Sequence, residues 1–313
     1  MRLLKNFMIK KNKKLVTHNG SFHTDDIFAC ATLSLMLEKR GEQFEIIRTR
    51  DEETIKNGDY VFDVGGIYDS LKNHFDHHQQ GGAGRRVPSG VEGEVGIEYS
   101  SFGLVWKKFG KEICDVEKVA EIIDDRLVAP VDAFDNGFDL VENKYKISPY
   151  FIQHLFMAML PALGEKNTDI DEMFLKSVLI AKEILLREII HVKDAILSEQ
   201  IITSIYQKTE DKRILVLTEH FNNEDILSKF NEPLFVIYPR TSDTLWGIRA
   251  VRENPKTFKN RKDFPKSWAG LRDEELQKVT GVPDAVFCHK GLFLAVAKSK
   301  EGAIKLAQIA LES

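Results

Sequence analysis

Hydrophobic and polar positions divide the chain into two patterns. Short apolar or aromatic runs at 15–17, 44–48 and 60–63 flank a segment over 25–40. In that segment Ile27, Ala31, Leu35 and Leu37 recur at helical spacing behind an acidic first turn. The first run ends in His18-Asn19-Gly20 and the third in Asp63-Val64-Gly65-Gly66, where glycines turn a strand sharply. Strands alternating with helices predict a mostly parallel sheet flanked by helices. Ligands of such sheets bind at the carboxyl ends of the strands, which is where His18 and Asp63 fall. Residues 80–96 read as loop, with helical patterns over 97–109 and 117–129. The stretch 171–207 is periodic in Leu and Ile and reads as one long helix, or two. Strands follow at 214–217, 234–238, 245–251, 285–288 and 292–297, then a closing helix over 302–311. The pattern thus predicts a first domain over 1–205 that ends in a long helical connector. A smaller α/β domain follows over 206–313.

A length of 313 residues agrees with two domains, and 43% apolar with 29% charged residues is the profile of a soluble globular chain. Net charge is −4 from 44 basic and 48 acidic residues, which excludes a uniformly basic nucleic-acid coat but not a local basic patch. Cys30, Cys114 and Cys288 form no C-x-x-C pair, so a reducing compartment without a disulfide framework is expected. No apolar run reaches the roughly 18 residues of a membrane span, so no membrane partner is expected. The first residues, MRLLKNFMIKKNKK, are interrupted by Lys5, Asn6 and Lys10 and read as a basic extension rather than a signal peptide. A cytoplasmic location is expected, or a mitochondrial one if the source is eukaryotic.

Unusual residues of the first domain gather in four places: His18-x4-His23-x-Asp25-Asp26, Asp63, Asp76-His77-His78, and Asp132 with Asp135. A single histidine at a strand end is most often a capping or surface residue. Four such places around one sheet are harder to dismiss. A nitrogen and oxygen donor set without thiolate suits Mn²⁺, Co²⁺, Zn²⁺ or Fe²⁺ better than Ca²⁺. The donor count exceeds one ion and suits two divalent ions sharing a carboxylate. A closed structural zinc site would favour cysteine.

The blocks THNGSFHTDD (17–26), FDVGG (62–66), DHHQ (76–79), VDAFDNG (131–137), RENPKTFKNRKDFPKSWAGLRDEEL (252–276) and GVPDAVFCHKG (281–291) resemble the melanocyte-proliferating-gene (Myg) family of metal-dependent hydrolases. That family is a branch of the DHH phosphoesterase superfamily, which includes manganese-dependent pyrophosphatases, the single-strand exonuclease RecJ and oligoribonucleases. The blocks run through nearly the whole chain. The resemblance implies a DHH-type domain, a C-terminal DHH-associated-like domain and an active site in the cleft between them. It implies one ion on His18, His23 and Asp63, and a second on Asp25, Asp63, His77 and Asp132, with Asp63 bridging. His23 stands where the superfamily commonly has Asp, so metal preference does not transfer directly. Mn²⁺ is the first expectation, with Zn²⁺, Co²⁺ or Mg²⁺ as alternatives. By the same resemblance His78 contacts phosphate or donates a proton, Asp76 orients an imidazole, and Asp135 orients or meets substrate.

Between Arg240 and Gly270 lie eight Lys/Arg and three Asp/Glu, with Phe258, Phe264 and Trp268 among them. Aromatics between cations suit bases stacked along a strand of phosphates. Arg252, Lys259, Arg261 and the 256–266 stretch are therefore candidate substrate contacts. His289 and Gly291 of Cys288-His289-Lys290-Gly291 look like the counterpart of the superfamily's glycine-rich phosphate motif. His154 and His191 are expected to be packing or surface residues, Cys30 a core residue of the first helix, and GGAGRR at 81–86 a loop. Together these readings predict a two-metal phosphodiesterase acting on single-stranded RNA or short oligonucleotides, with a homodimer as one open oligomeric state. The 3′-to-5′ direction comes from the resemblance alone. The alternatives are a small-molecule phosphohydrolase acting on pyrophosphate or a nucleotide, and a non-catalytic nucleic-acid-binding protein.

Overall fold

The structure, a computed structural model, describes residues 12–86, 96–221, 224–254 and 257–313. Most of the N-terminal basic extension, part of the loop after Gln80 and Lys256 lie outside the described residues. The chain forms two compact units, Met1–Val192 and Lys193–Ser313.

In the first unit the elements run β1 (Lys13–Thr17), α1 (Thr24–Lys39), β2 (Phe44–Arg48), α2 (Glu52–Lys56), β3 (Tyr60–Phe62), β4 (Tyr68–Asp69) and β5 (His74–Phe75). They continue through α3 (Ser101–Cys114), α4 (Glu117–Ile123), α5 (Ala129–Asp135), α6 (Ile152–Met157) and α7 (Ile170–Lys208). Five strands form one sheet in the order β2-β1-β3-β5-β4, parallel except for β4 at the edge. The carboxyl ends of β1, β3 and β5 therefore lie side by side on adjacent strands. Strands β4 and β5 have two residues each, too few to leave a period in the sequence.

Helix α1 is buried from Thr24 to Leu37 on every face, and it packs against α3, α5, α6 and the sheet. Its apolar positions thus describe the interior of the unit rather than one face of a surface helix. Phe28 stacks on Phe102 at 5.0 Å and meets Phe156 edge-on at 5.6 Å, tying α1 to α3 and α6. The helix expected over 117–129 is broken. After Ile123 a π-helical turn, Asp124–Val128, resets the backbone before α5, which carries Pro130 in its first turn. The helix expected from residue 97 begins at Ser101.

Helix α7 is one continuous element of 39 residues. Its first part is tied to the first unit by Arg48 with Asp171 and Lys182 with Glu38. The division at Val192 falls within it, because Ile202 packs with Leu215, Leu217 and Val236 of the second unit.

The second unit adds β6 (Ile214–Val216), α8 (Glu224–Leu227), β7 (Phe235–Pro239), β8 (Trp246–Ala250), α9 (Asp273–Thr280), β9 (Ala285–Cys288), β10 (Leu294–Ala297) and α10 (Lys300–Glu312). Its sheet runs β6-β7-β8-β10-β9, with β6 and β7 parallel and the remaining pairs antiparallel. Ala303, Leu306, Ala307 and Ala310 of α10 join one core with Phe235, Ile237, Ile248, Phe264 and Trp268. Among the described residues, no helix is long and apolar enough to cross a membrane.

Candidate metal centre

Each of the three adjacent parallel strands delivers ionisable side chains where it ends. His18 follows β1, Asp63 follows β3, and Asp76, His77 and His78 follow β5. Helix α1 starts six residues after His18 and places His23 at its N-cap, with Asp25 and Asp26 in its first turn. Carboxylates there are stabilised by the helix dipole. Asp26 accepts from the His23 backbone N–H at 3.0 Å, which fixes the entry to the helix.

Asp63 is the centre of the cluster. It is 4% exposed and its φ is +53°, a left-handed conformation that costs a non-glycine residue strain. One carboxylate oxygen, Oδ2, lies 3.1 Å from His18 Nε2. The other, Oδ1, lies 3.3 Å from His77 Nε2 and accepts from Ser101 Oγ at 3.1 Å. Burial opposes its charge, but the hydrogen bonds from His18 and His77 win and hold its pKa well below the usual carboxylate range. His18 also meets Asp26 at 3.2 Å. Burial pulls the His18 pKa down, while Asp26 and Asp63 together raise it to about 10.

His77 Nε2 faces three carboxylates: Asp63, Asp135 at 3.4 Å and Asp25 at 3.8 Å. Asp25 is 1% exposed, yet neither of its oxygens accepts a hydrogen bond. Its pKa is raised well above normal by burial and then by the charges of Asp63 and Asp135. A buried, unbonded carboxylate beside other carboxylates is costly unless a cation compensates it. His78 behaves differently from His77. Its side chain is 62% exposed, and its Nδ1 lies 2.7 Å from Asp76 Oδ1. Asp76 also accepts from the backbone N–H groups of His78 and Gly66. Because the Asp76 pKa is lowered, its carboxylate accepts the proton on Nδ1 and leaves Nε2 as the free edge of the ring.

The two aspartates of VDAFDNG part company. Asp132 is fully buried and accepts from Ser100 N–H, Ser100 Oγ and Gly103 N–H at 3.1, 2.6 and 3.2 Å, and from Arg86 Nε. It thus caps the N-terminus of α3 from another helix, and a Cβ at Gly103 would overlap its carboxylate. Burial pushes its pKa up to about 6 against the pull of Arg86 and Ser100. With its oxygens committed to α3 and Arg86, Asp132 stands apart from the cluster. Asp135 at the end of α5 faces His77 where the resemblance assigned Asp132. The reason is spacing: residues three apart on a helix share a side, and only their tertiary partners separate them.

Among the described residues, three groups present donor atoms within 4.8 Å of one another: His18, His23 and Asp63; Asp63, His77 and His78; and His23, Asp25 and Asp135. The donor set is nitrogen and oxygen only and centres on carboxylates, so it fits a divalent cation. Asp26 and Arg50 were not among the assigned site residues. Asp26 could have been weighted from its place beside Asp25, whereas Arg50 gave no signal beyond following β2. Arg50, Gly65 and Gly66 line a cavity of about 610 Å³ with His18, Asp63 and His78.

In the second unit the candidates divide. Arg252 and Gly291 line a cavity of about 350 Å³ with Arg249, Phe258, Asn260 and Phe293. The Arg252 guanidinium lies 4.9 Å from the Phe258 ring. His289 sits in the β9–β10 turn, where its Nδ1 accepts from Gly291 N–H at 3.0 Å and its ring packs 4.4 Å from Phe293. Lys259 pairs with Glu253 at 3.0 Å on the surface. Arg261 points the other way, donating to the carbonyls of Pro233, Leu227 and Ser228. Phe264 and Trp268 are each 2% exposed and belong to the core, so neither stacks on a base. Of Phe258, Phe264 and Trp268, Phe258 alone is exposed, at 89%.

Comparison with known proteins adds a family. The MYG1_exonuc family model, described as "Uncharacterised protein family (UPF0160)", matches residues 14–311. A MYG1 protein of Schizosaccharomyces pombe is 28% identical, with 96% of this chain and 97% of that one covered. The human MYG1 exonuclease is 29% identical over 95% of this chain and 85% of its own length. A MYG1 protein of Chlamydia pneumoniae is 28% identical over 96% and 97%.

Proposed function

The chain belongs to the MYG1_exonuc family, and from its cluster we propose that it is a metal-dependent phosphodiesterase that shortens single-stranded RNA or oligonucleotides from one end. The observation that carries this is Asp63, whose two oxygens face different imidazoles, His18 and His77. That arrangement suits a carboxylate shared between two cations. His18, His23 and Asp63 would hold one ion, and Asp25, Asp63, His77 and Asp135 the other. When bound, such ions lower the pKa of water and offset charge building on a phosphoryl group.

The chain's own residues supply the rest. His78, held by Asp76, keeps its proton on Nδ1 and offers Nε2 to a phosphoryl oxygen; the Asp76 hydrogen bond raises its pKa, so the ring carries positive charge more readily. Arg50 adds a cation to the same cavity. In the second unit, Arg252 with Arg249 and Phe258 combine guanidinium and aromatic surface in one cavity, a composition suited to a nucleotide. The human, bovine and rodent relatives are named exonucleases, which favours a polynucleotide over pyrophosphate as substrate. The 3′-to-5′ direction is proposed on the family resemblance.

The test is a 5′-labelled single-stranded RNA incubated with protein and Mn²⁺, with products resolved by length and bound metal measured by elemental analysis. A ladder shortening stepwise from the 3′ end and about two ions per chain are expected. Asp63→Asn should lose both ions and all cleavage. Full metal occupancy in Asp63→Asn, or no cleavage of RNA or DNA by loaded wild-type protein, would overturn the proposal.

A further inference from the structure

The cluster lies at the junction of two cavities of opposite character. The 610 Å³ cavity described above is polar, with Arg50 and the Gly65-Gly66 backbone in its wall. A second cavity of about 480 Å³ shares Ser21 and His23 with it and reaches Asp25 and Asp135. Its walls are Val131, Phe134, Met157 and Leu160. Its volume lies in the range of small-ligand sites.

Apolar side chains beside a knot of carboxylates are there at a cost. Phe134 is 44% exposed and Met157 56% exposed. Phe134 is not left loose, because the His154 ring meets it edge-on at 6.2 Å. The imidazole of His154 is fixed in turn by accepting from the Phe151 N–H at 2.9 Å. Gln153, 5% exposed, lines the same cavity and donates from Nε2 to the Pro130 carbonyl at 3.4 Å. A carboxamide has both donor and acceptor capacity, and such groups read base edges in pairs.

We propose that the apolar cavity bounded by Phe134, Met157 and Leu160 receives the base of the nucleotide being released, with the base stacked on Phe134 and its edge facing Gln153. This rests on the phosphodiesterase reading and deepens it. A pyrophosphate has no apolar group to place there, and a sugar-phosphate backbone has none. A nucleotide carries a planar aromatic group on one side of its phosphate and charge on the other, matching the two cavities that flank the cluster. Phe134 and Gln153 are then specificity-determining residues.

Two measurements test it. First, loaded wild-type protein is compared on an oligoribonucleotide and on one whose terminal nucleotides lack their bases. Base stacking on an aromatic residue is expected to give about 10- to 100-fold higher kcat/KM for the substrate with bases. Phe134→Ala should bring the ratio close to one, and Phe134→Trp should restore it. Second, metal-free protein is mixed with adenosine or ribose and saturation transfer is read by NMR. Adenosine should receive magnetisation from the wild type and not from Phe134→Ala, and ribose from neither. If both substrates are cleaved equally and adenosine shows no transfer, the base cavity is wrong. If adenosine binds through Phe134 but no oligonucleotide is cleaved, the cavity stands and the phosphodiesterase reading fails.

Discussion

The carboxyl ends of β1, β3 and β5 and the basic stretch between residues 240 and 270 are both dense in ionisable side chains, and burial separates them. In the first region, Asp25, Asp26, Asp63 and Asp76 are each at most 4% exposed, and their neighbours are imidazoles, a few backbone N–H and hydroxyl donors, and one another. No packing need explains so many buried carboxylates, because each costs free energy unless a cation or donor meets it. In the second region, Lys259 pairs at the surface, Arg261 holds backbone carbonyls, and Phe264 and Trp268 fill the core. Arg252 and Phe258, with Arg249 and Asn260, line a cavity instead. The lesson is that a buried polar cluster is strong evidence of a site, whereas a run of cations is first of all a supply of surface and brace.

The sharpest way to break the comparison is within the first region itself, at the two aspartates of α5. Asp135→Ala removes a carboxylate that faces His77. It should lower metal occupancy and reduce hydrolysis by more than about 100-fold, the upper effect of losing a mere supporting group, with little change in urea midpoint. Asp132→Ala leaves the half-buried Arg86 guanidinium with Asp124 alone and removes the acceptor of the α3 N-terminus. It should cost about 1–3 kcal/mol of stability. Measuring metal content and urea midpoints on both variants decides the matter. If Asp132→Ala loses metal at unchanged stability, the assignment of the two residues is reversed.

That pair also marks how far the sequence could be read. The three longer parallel strands were legible because a buried parallel strand is a short apolar run, and His18 and Asp63 follow from where those runs stop. Strand β5 was not legible from its pattern, yet its DHH residues were, because the chemistry of three adjacent ionisable groups is visible without the strand. The choice between Asp132 and Asp135 was out of reach, since Ser100, Gly103 and Arg86 approach from distant parts of the chain. So were the fates of Phe264 and Trp268. A periodic pattern marks a core aromatic in a regular strand or helix. Phe264 lies in a loop and Trp268 in a single 3₁₀ turn, so neither shows one.

A second effect should appear as pH dependence. In the metal-free protein the His18 pKa is raised from 6.5 to about 10 by Asp26 and Asp63, so this ring is protonated at neutral pH. Its contribution to stability is complete below pH 6.5 and is lost as pH rises through about 10. A cation on the same nitrogen must displace that proton. Metal affinity should therefore rise by about tenfold per pH unit for each proton displaced, measured by competition titration between about pH 6 and 8. An affinity flat across that interval would mean that His18 binds no ion.

The smallest effects belong to the second region, and they test whether its cations really divide between bracing and binding. Arg261→Ala removes donors to three carbonyls and should destabilise the fold by about 1–3 kcal/mol. Lys259→Ala breaks an exposed pair and should change stability by less than about 0.5 kcal/mol. Arg252 is the cation placed to meet substrate, so its loss should show in binding rather than folding. A single phosphate contact releases roughly one counterion, so Arg252→Ala should reduce the slope of log affinity against log salt by about one on single-stranded RNA. Lys259→Ala should leave that slope as it is. Filter binding across a salt series reads both. Should Lys259→Ala flatten the slope as much as Arg252→Ala does, the surface cations would act together as a diffuse field, and the 350 Å³ cavity around Arg252 would have no special claim on the nucleic acid.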